Sequence, residues 1–182
     1  MPHLMLKDLP RYECLLEASQ KYPEMDPSAC EVFLYLLRAG DEAFRVCDAN
    51  LSKHHVSQGR FTVLMLLLDK ATGQVKSHTP AELAEAAGVT RATMTGLIDT
   101  LERDGLVTRT PDPTDRRMMS VTLTSHGQRR LQEILPAHFK RMGALISVLS
   151  ESERRTMVLL LGKILDKAAE FSAPFEVPHT SP

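Results

Sequence analysis

The chain has 182 residues, of which 43% are hydrophobic and 25% are charged, and its formal net charge is −1. This composition is typical of a folded globular protein, and it excludes an intrinsically disordered chain, a collagen and a disulfide scaffold. A net charge close to zero provides no long-range attraction to nucleic acid, so any DNA binding has to depend on locally placed residues.

Neither a membrane segment nor a metal site is indicated. The longest uninterrupted apolar run, Val63 to Leu68, is far shorter than the roughly 20 residues of a membrane span. The N-terminus mixes charged with apolar residues and shows no signal-peptide core, so we expect a soluble, cytoplasmic protein with no membrane partner. The spacing of the three cysteines, Cys14, Cys30 and Cys47, fits neither a disulfide framework nor a zinc site. We therefore expect reduced thiols and no bound metal.

The N-terminal third is predicted to be an arm followed by two helices. Residues 1–26 form the arm, with one short helix around Tyr12 to Gln20. Asp26-Pro27 is an N-cap followed by proline at the first helical position, which predicts a long helix over about 27–50. The early part of this helix is apolar nearly all round, so it needs cover on more than one side, which a partner subunit can supply. A second helix is predicted from Ser57 to Asp69.

The sharpest local signal is a pair of helices that meet at a glycine turn. Thr79-Pro80-Ala81-Glu82 combines a threonine N-cap, proline at the first helical position and a glutamate placed for a capping box. The helix that begins there ends at Gly88, and Thr90 caps the next helix, which runs to about 104. The pattern then changes to alternation over Leu106–Thr110 and again over Met118–Leu123, on either side of a proline-rich turn, which predicts a β-hairpin.

Helix, glycine turn, helix and hairpin in this order predict a winged helix-turn-helix, whose second helix enters the major groove of DNA. Two long helices follow, the first containing Pro136 and the second opened by a capping box at Ser150 to Glu153. The expected fold class is mainly α with a small β-hairpin wing, flanked by N- and C-terminal dimerisation helices. The expected domains are the arm at 1–26, a dimerisation helix at 27–56, the winged helix-turn-helix at 57–124, dimerisation helices at 125–171 and a flexible tail at 172–182.

Two groups of residues are candidates for DNA contact. The start of the 90–104 helix carries short donors, methyl groups and one arginine, and no acidic residue occurs in it before Asp99, so this surface can approach base edges closely. The candidates here are Thr90, Arg91, Ala92, Thr93 and Thr95. At the hairpin tip, a stiff turn can project a guanidinium of Asp115-Arg116-Arg117 into a narrow minor groove. The competing interpretation of both groups is a solvated polar surface.

The stretch from Thr79 to Gly127 resembles the winged helix of the MarR family of bacterial transcriptional regulators. The resemblance rests on Leu-Ala-Glu-Ala-Ala-Gly before the predicted recognition helix, on Leu-Glu-Arg-Asp-Gly-Leu-Val after it, and on Asp-Arg-Arg followed by Val-x-Leu-Thr-x-x-Gly. The order of the flanking helices extends the resemblance to about residues 27–171. The long N-terminal arm is similar to that of family members that control drug-efflux operons.

The resemblance implies a homodimer that binds a pseudo-palindromic operator in double-stranded DNA, usually as a repressor. It implies that Arg117 reaches the minor groove, that Asp115 orients it, and that Arg116 contacts phosphate. Thr90, Arg91, Thr93 and Thr95 carry over as major-groove residues. His78 and Thr79 carry over as contacts to the DNA backbone.

The resemblance also implies a small-molecule effector, an aromatic acid or a lipophilic drug, bound between the dimerisation helices and the winged helix. The corresponding candidates are Phe33, Leu37, Arg38, Arg45, Arg60, Phe61 and Met65. Phenylalanine and methionine at helical spacing are more often core residues, and an arginine on a helix is usually solvated, so an ordinary core with a charged surface is the competing interpretation.

Two alternatives remain open. Cys30 lies near the start of the first long helix, which permits peroxide sensing, although a sensing thiol needs a lowered pKa and solvent access. A winged helix can also dock another protein, because the fold alone does not imply DNA binding. The sequence contains no glycine-rich phosphate loop, no nucleophile elbow and no histidine pair at metal-binding spacing, so we expect neither an enzyme nor a cofactor.

Overall fold

The computed structural model describes residues 8–69, 71–111 and 119–172. The fold class predicted from the sequence is confirmed, since the described residues are mostly helical and contain one two-stranded antiparallel hairpin. The predicted wing residues Asp115, Arg116 and Arg117 lie outside the described residues. The elements are α1 (Tyr12–Lys21), α2 (Pro27–Leu51), a 3₁₀ turn (Ser52–His54), α3 (Gln58–Leu66), α4 (Pro80–Ala87), α5 (Arg91–Arg103), β1 (Val107–Pro111), β2 (Met119–Leu123), α6 (Ser125–Ile146) and α7 (Glu151–Ser172).

The start of α2 follows the predicted capping pattern. The Asp26 carboxylate accepts hydrogen bonds from the amides of Ser28 at 2.9 Å and Ala29 at 3.1 Å, and Pro27 occupies the first helical position. Further along α2 the expected excess of apolar surface is present, because several large apolar side chains of this helix are exposed to solvent. They are Val32, Phe33, Tyr35 and Phe44.

The end of α3 differs from the prediction. The helix was expected to continue to Asp69, but it ends at Leu66, because Leu68 instead forms a β-bridge with Val75. The amide of Asp69 then donates to the carbonyl of Gln74 at 2.7 Å and closes a tight turn. The chain therefore reaches α4 through a short hairpin-like turn rather than a longer helix.

The main core lies among α3, α4, α5, the hairpin and α6. Along α5 the buried side chains recur at helical spacing on a single face, as Met94, Ile98 and Leu101, and full burial of such a side chain stabilises the fold by about 1.5 to 3 kcal/mol. Because this face is buried, the opposite face of α5 is held outward. The largest fully buried side chains of the core are Leu51, Leu64, Leu67, Leu83, Met94, Ile98, Leu101, Leu131, Ile134, Val63, Val107 and Val121.

The start of α6 packs closely against the turn that precedes β1. The Thr124 hydroxyl donates to the carbonyl of Gly105 at 2.7 Å and accepts from the amide of Gly127 at 3.0 Å. A Cβ atom on Gly127 would lie 2.0 Å from the carbonyl oxygen of Leu106. Glycine is required at this position by close approach of two backbones, and this contact fixes where α6 leaves the winged helix.

The chain divides into two compact units between Met142 and Gly143, within α6. In the second unit, α7 begins with the predicted capping box: the Ser150 hydroxyl accepts from the Glu153 amide at 3.3 Å, and the Glu153 carboxylate accepts from the Ser150 amide at 2.7 Å. Hydrogen bonds from the Ser150 hydroxyl and amide hold the pKa of Glu153 below its usual value. Most apolar side chains of α7 are exposed, including Met157, Val158, Leu159, Leu160, Ile164, Leu165 and Phe171.

Within the described ranges, no helix is both long enough and apolar enough to cross a bilayer.

Candidate nucleic-acid interface

Two capped helices, α4 and α5, meet at a left-handed glycine. The Thr79 hydroxyl accepts from the amide of Glu82 at 3.3 Å, while the Glu82 carboxylate accepts from the amide of Thr79 at 2.7 Å, which completes the predicted capping box. Gly88 ends α4 with a φ of +63°, a value that glycine adopts without strain. Thr90 then caps α5, because its hydroxyl accepts from the amide of Thr93 at 3.1 Å. These local bonds set the two helices as a helix-turn-helix.

The outward face of α5 carries the predicted major-groove residues. Every one of them is exposed, namely Thr90, Arg91, Ala92, Thr93 and Thr95. Their hydroxyls are partly committed to the helix itself, since Thr95 donates to the carbonyl of Arg91 at 2.9 Å and the Thr90 and Thr93 hydroxyl oxygens are 2.9 Å apart. The surface therefore offers one guanidinium, several hydroxyl acceptors and methyl groups, with no carboxylate among them.

The starts of α4 and α5 lie around a common concave surface. Its volume is about 280 Å³. It brings together residues from three elements, so the predicted contacts at the two helix starts are neighbours in space. The lining residues are Thr79, Pro80, Ala81, Arg91, Thr95 and Met119.

The backbone amides in the first turn of α4 differ in whether they have a hydrogen-bond acceptor. Thr79 is 8% exposed, and both its amide and its hydroxyl are engaged with Glu82. Pro80 has no amide hydrogen, so the amide of Ala81 is the first at this helix start that lacks an intrahelical acceptor. Ala81 is exposed, and a backbone amide at a helix start is a good donor to phosphate. Ala81 was not among the residues singled out from the sequence.

His78 connects the lead into α4 with the hairpin. Its amide donates to the carbonyl of Val121 at 3.1 Å, and the Val121 amide donates to the His78 carbonyl at 2.8 Å. The imidazole Nδ1 lies 3.7 Å from the carboxylate of Glu82, and the side chain is 34% exposed. The predicted backbone contact at His78 is thus held beside β2 by main-chain hydrogen bonds.

Arg109 on β1 ties the hairpin to the far half of α5. Its guanidinium contacts the carboxylates of Asp99, with 2.5 Å between Nη2 and Oδ1, and of Glu102. Its amide also donates to Glu102 at 3.0 Å. The acidic residues of α5 that come nearest to the wing are therefore neutralised within the protein. The sequence reasoning missed this role of Arg109, although an arginine in a strand next to acidic residues three apart on a helix was a usable signal.

The candidate effector arginines occupy different environments. Arg60 on α3 donates to the carbonyl of His55 at 3.2 Å and pairs with Asp104, the C-cap residue of α5. Arg38 and Arg45 on α2 both pair with Glu42. Arg60 therefore contacts the end of the second helix of the helix-turn-helix.

The apolar candidates fall into two groups. Phe61 is buried in the core and Met65 is partly buried against it. Phe33 is 58% exposed on the surface of α2, and Leu37 on the same helix is half-buried. The structure thus separates core residues on α3 from surface residues on α2 within this set.

A buried histidine, which the sequence reasoning did not identify, packs on Phe61. The His138 ring on α6 lies 4.6 Å from the Phe61 ring, between centroids, and burial lowers the pKa of His138. Four buried polar atoms have no hydrogen-bond partner in the part of the chain that the structure describes: Nδ1 of His138, Nδ2 of Asn50, Oε1 of Gln58 and Nε of Arg60. Polar atoms of this kind are costly unless a ligand or water satisfies them. The usable sequence signal was a histidine four residues after Ile134 in an otherwise apolar stripe.

The three thiols are free, with Cys14 exposed and Cys30 and Cys47 partly buried. Among the described residues, no group of three or more histidines, cysteines or acidic residues is placed to hold a metal ion.

Comparisons with known proteins found a matching family, similar sequences and similar solved structures. Residues 56–119 match the model of the MarR family. The HTH-type transcriptional repressor YetL of Bacillus subtilis is 36% identical over 168 residues, covering 91% of this chain and 98% of YetL. The crystal structure of the S. aureus MepR–DNA complex aligns with a TM-score of 0.63 and 26% identity, over 73% of this chain and 96% of MepR. Bordetella bronchiseptica BpsR, solved to explain regulation of its DNA binding by 6-hydroxynicotinic acid, aligns with a TM-score of 0.62 and 26% identity, over 72% and 91%.

The relatives are transcriptional regulators, in agreement with the expectation that the chain is not an enzyme. The match to YetL covers nearly the whole of both chains. In the structure, α4, α5 and the hairpin follow one another as a winged helix-turn-helix. The chain belongs to the MarR family of winged helix-turn-helix transcriptional regulators.

Proposed function

We propose that the chain is a homodimeric transcriptional repressor that binds a pseudo-palindromic DNA operator and leaves it when a small aromatic or lipophilic ligand binds. The observation that carries this proposal is the outward face of α5, where Arg91 and Thr95 share with the start of α4 a concave surface whose lining contains no carboxylate. Repression by YetL and the DNA complex of MepR support it.

In this proposal, α5 enters the major groove and reads base edges through Thr90, Arg91, Ala92, Thr93 and Thr95. The start of α4, with His78, Thr79 and the amide of Ala81, contacts the phosphate backbone. The wing places Arg117 in the minor groove, with Asp115 orienting it and Arg116 on phosphate.

The test is binding to the DNA upstream of the chain's own gene, measured by fluorescence anisotropy at fixed salt. Arg91→Ala should weaken specific binding by roughly 1 to 3 kcal/mol, which is the range for loss of a base contact. Arg103→Ala is the matched control, because Arg103 lies in the last turn of the same helix with a side chain that is 75% exposed. Equal affinities of the two variants would reject α5 as the reading helix.

Dimerisation is supported separately in each unit by exposed apolar surface. Val32, Phe33, Tyr35 and Phe44 are exposed on α2, and α7 exposes apolar residues along most of its length. Many large exposed apolar side chains on one helix indicate a protein interface, and a second copy fits because a repressor of two half-sites needs two winged helices. We assign 27–56 and 125–171 to dimerisation and 57–124 to DNA binding. Light scattering at micromolar concentration, the range expected in the cytoplasm, should show a dimer. A footprint on the operator should show two half-sites about one helical turn apart.

Ligand release is supported by buried polar atoms, one of them on the His138 ring that packs on Phe61. His138, Asn50, Gln58 and Arg60 each bury a polar atom for which the described residues provide no partner, and an aromatic ligand with polar substituents would satisfy such atoms. BpsR, whose DNA binding is regulated by 6-hydroxynicotinic acid, makes this compound the first probe. His138→Phe should abolish release by the probe while retaining DNA binding. If His138→Phe still responds, the effector site lies elsewhere.

Peroxide sensing through Cys30 predicts a different result in the same assay. An organic hydroperoxide would then lower the DNA affinity of the wild type and leave Cys30→Ser unchanged. Cys47→Ser is the matched control, because Cys47 is also partly buried on α2.

A further inference from the structure

A second cavity lies beside α4, between this helix and the turn that follows α3. Its volume is about 320 Å³, at the lower end of the range for small-ligand pockets. The apolar part of its lining is formed by Leu66, Leu68, Ala71, Leu83 and Ala86. Four ionisable side chains also line it: Asp69, Lys76, His78 and Glu82.

The wall opposite α4 is held in place by its own hydrogen bonds. The Asp69 carboxylate accepts from the amides of Ala71 at 2.9 Å and Thr72 at 2.8 Å, and the amide of Lys76 donates to the carbonyl of Leu67 at 2.8 Å. The Lys76 ammonium, 2.5 Å from Asp69, holds the pKa of that carboxyl far below its usual value, with the Thr72 and Ala71 hydrogen bonds adding to the effect. The cavity is therefore preformed, and a ligand does not have to pay for ordering this turn.

The charges in the lining select the class of ligand. Two carboxylates, Asp69 and Glu82, are present against one ammonium, Lys76. An apolar lining with an excess of carboxylates favours a small cation with an apolar body over an organic anion. We propose that this cavity is an effector site for a small aromatic or aliphatic amine or amidine.

The site is connected to DNA binding through Glu82. The carboxylate that faces the cavity also accepts from the Thr79 amide at 2.7 Å and the Thr79 hydroxyl at 3.1 Å, and Thr79 lines the DNA-facing concave surface. A cation that draws on Glu82 competes with these two donors and loosens the first turn of α4. Capping contacts of this kind influence helix stability by about a factor of three to ten, so occupancy should lower DNA affinity by roughly the same factor. This coupling rests on the proposed DNA binding, whereas ligand binding itself does not.

The first test measures ligand binding without DNA. Benzamidine is titrated into the full chain by calorimetry, and benzoate is the anionic counterpart of similar size. Glu82→Gln retains a residue that suits the capping box and removes the charge, so benzamidine affinity should fall about tenfold. Glu85 lies three residues after Glu82 on α4 and outside the cavity lining, so Glu85→Gln should bind benzamidine as the wild type does. Equal loss in both variants, or equal affinity for benzoate and benzamidine, would overturn the charge selection.

A second variant tests the location. Ala86→Trp fills the cavity from an exposed helical position, and circular dichroism verifies that the variant folds. It should lose benzamidine binding, and benzamidine should no longer change its DNA affinity. If Ala86→Trp binds benzamidine as the wild type does, the cavity beside α4 is not the site. A wild type that binds benzamidine but no DNA would reject the proposed function and leave the cavity assignment standing.

Discussion

Arg109 in β1 and Asp99 in α5 are joined by an ion pair with 2.5 Å between Nη2 and Oδ1. Glu102, one turn further along α5, contacts the same guanidinium. The orientation of the hairpin relative to α5 therefore depends on Arg109, whose guanidinium is paired within the protein. Strand and helix contribute one partner each, so this contact positions against one another the two elements that we propose to contact DNA.

We expect Arg109→Gln to weaken specific DNA binding more than it weakens the fold. The pair is partly exposed, so its loss should reduce the free energy of unfolding by only about 1 kcal/mol or less. Operator affinity should fall roughly threefold to tenfold, because the angle between the wing and α5 is no longer fixed. Urea unfolding and anisotropy measure the two effects. A double-mutant cycle with Glu102→Gln isolates the coupling, and additive losses would contradict a shared role.

Gly127→Ala should destabilise the protein by about 1 to 3 kcal/mol, the usual cost of overpacking. The added Cβ would lie 2.0 Å from the Leu106 carbonyl oxygen, so the backbone of α6 or of the preceding turn has to move. Gly143→Ala on the same helix is the matched control, since no described atom beyond the local backbone of α6 lies within 4 Å of a Cβ at this position. That control should be neutral or stabilising by up to about 1 kcal/mol, because alanine is the better helix former. Thermal unfolding checks both variants.

Burial of His138 makes stability depend on pH in a defined direction. Burial lowers the pKa of His138 below its ordinary 6.5, so the unfolded chain binds this proton more readily than the folded chain does. Stability from this group is complete well above pH 6.5 and is lost as the pH falls through 6.5 toward the lower folded value. Urea unfolding at pH 7.5, 6.5 and 5.5 should show this decline. His138→Phe should show a smaller decline, and an unchanged slope would assign the effect to other groups.

The two wing arginines should differ in effect, although they lie outside the described residues. Arg117→Ala should weaken specific binding by about 1 to 3 kcal/mol, as expected for a groove contact. Arg116→Ala should weaken specific and nonspecific binding to a similar extent and lower the salt dependence, as expected for a phosphate contact. Titrations at three salt concentrations on operator and random DNA separate the two roles. Equal behaviour of both variants would contradict the assignment.

The parts of the fold that depend on adjacent residues were predictable from the sequence. Thr79 and Glu82 cap α4 through contacts three residues apart, and Thr90 caps α5 over the same distance, so the helix-turn-helix follows from local chemistry. The end of α3 was not predictable in this way. The apolar run Val63 to Leu68 suits a helix throughout, and it is the pairing of Leu68 with Val75 that stops it.

The same distinction applies to the candidate site. The exposed face of α5 follows from periodicity, because burial of Met94, Ile98 and Leu101 leaves the other side outward. The role of Arg109 and the packing of Phe61 on His138 join residues that are distant in sequence, and such contacts have no periodic signal. Chain-level charge was also uninformative, since the acidic residues Asp99 and Glu102 are paired within the protein.

The Thr95 hydroxyl donates its only proton to the Arg91 carbonyl, 2.9 Å away. In the major groove guanine presents two acceptors, whereas adenine and cytosine present amino donors and thymine a methyl group. A hydroxyl that can only accept cannot donate to either acceptor of guanine. It can accept from the amino group of adenine or cytosine, and the threonine methyl can contact the thymine methyl. In the DNA complex that we propose, the helix's own hydrogen bond thus makes Thr95 discriminate against guanine at the base it would face.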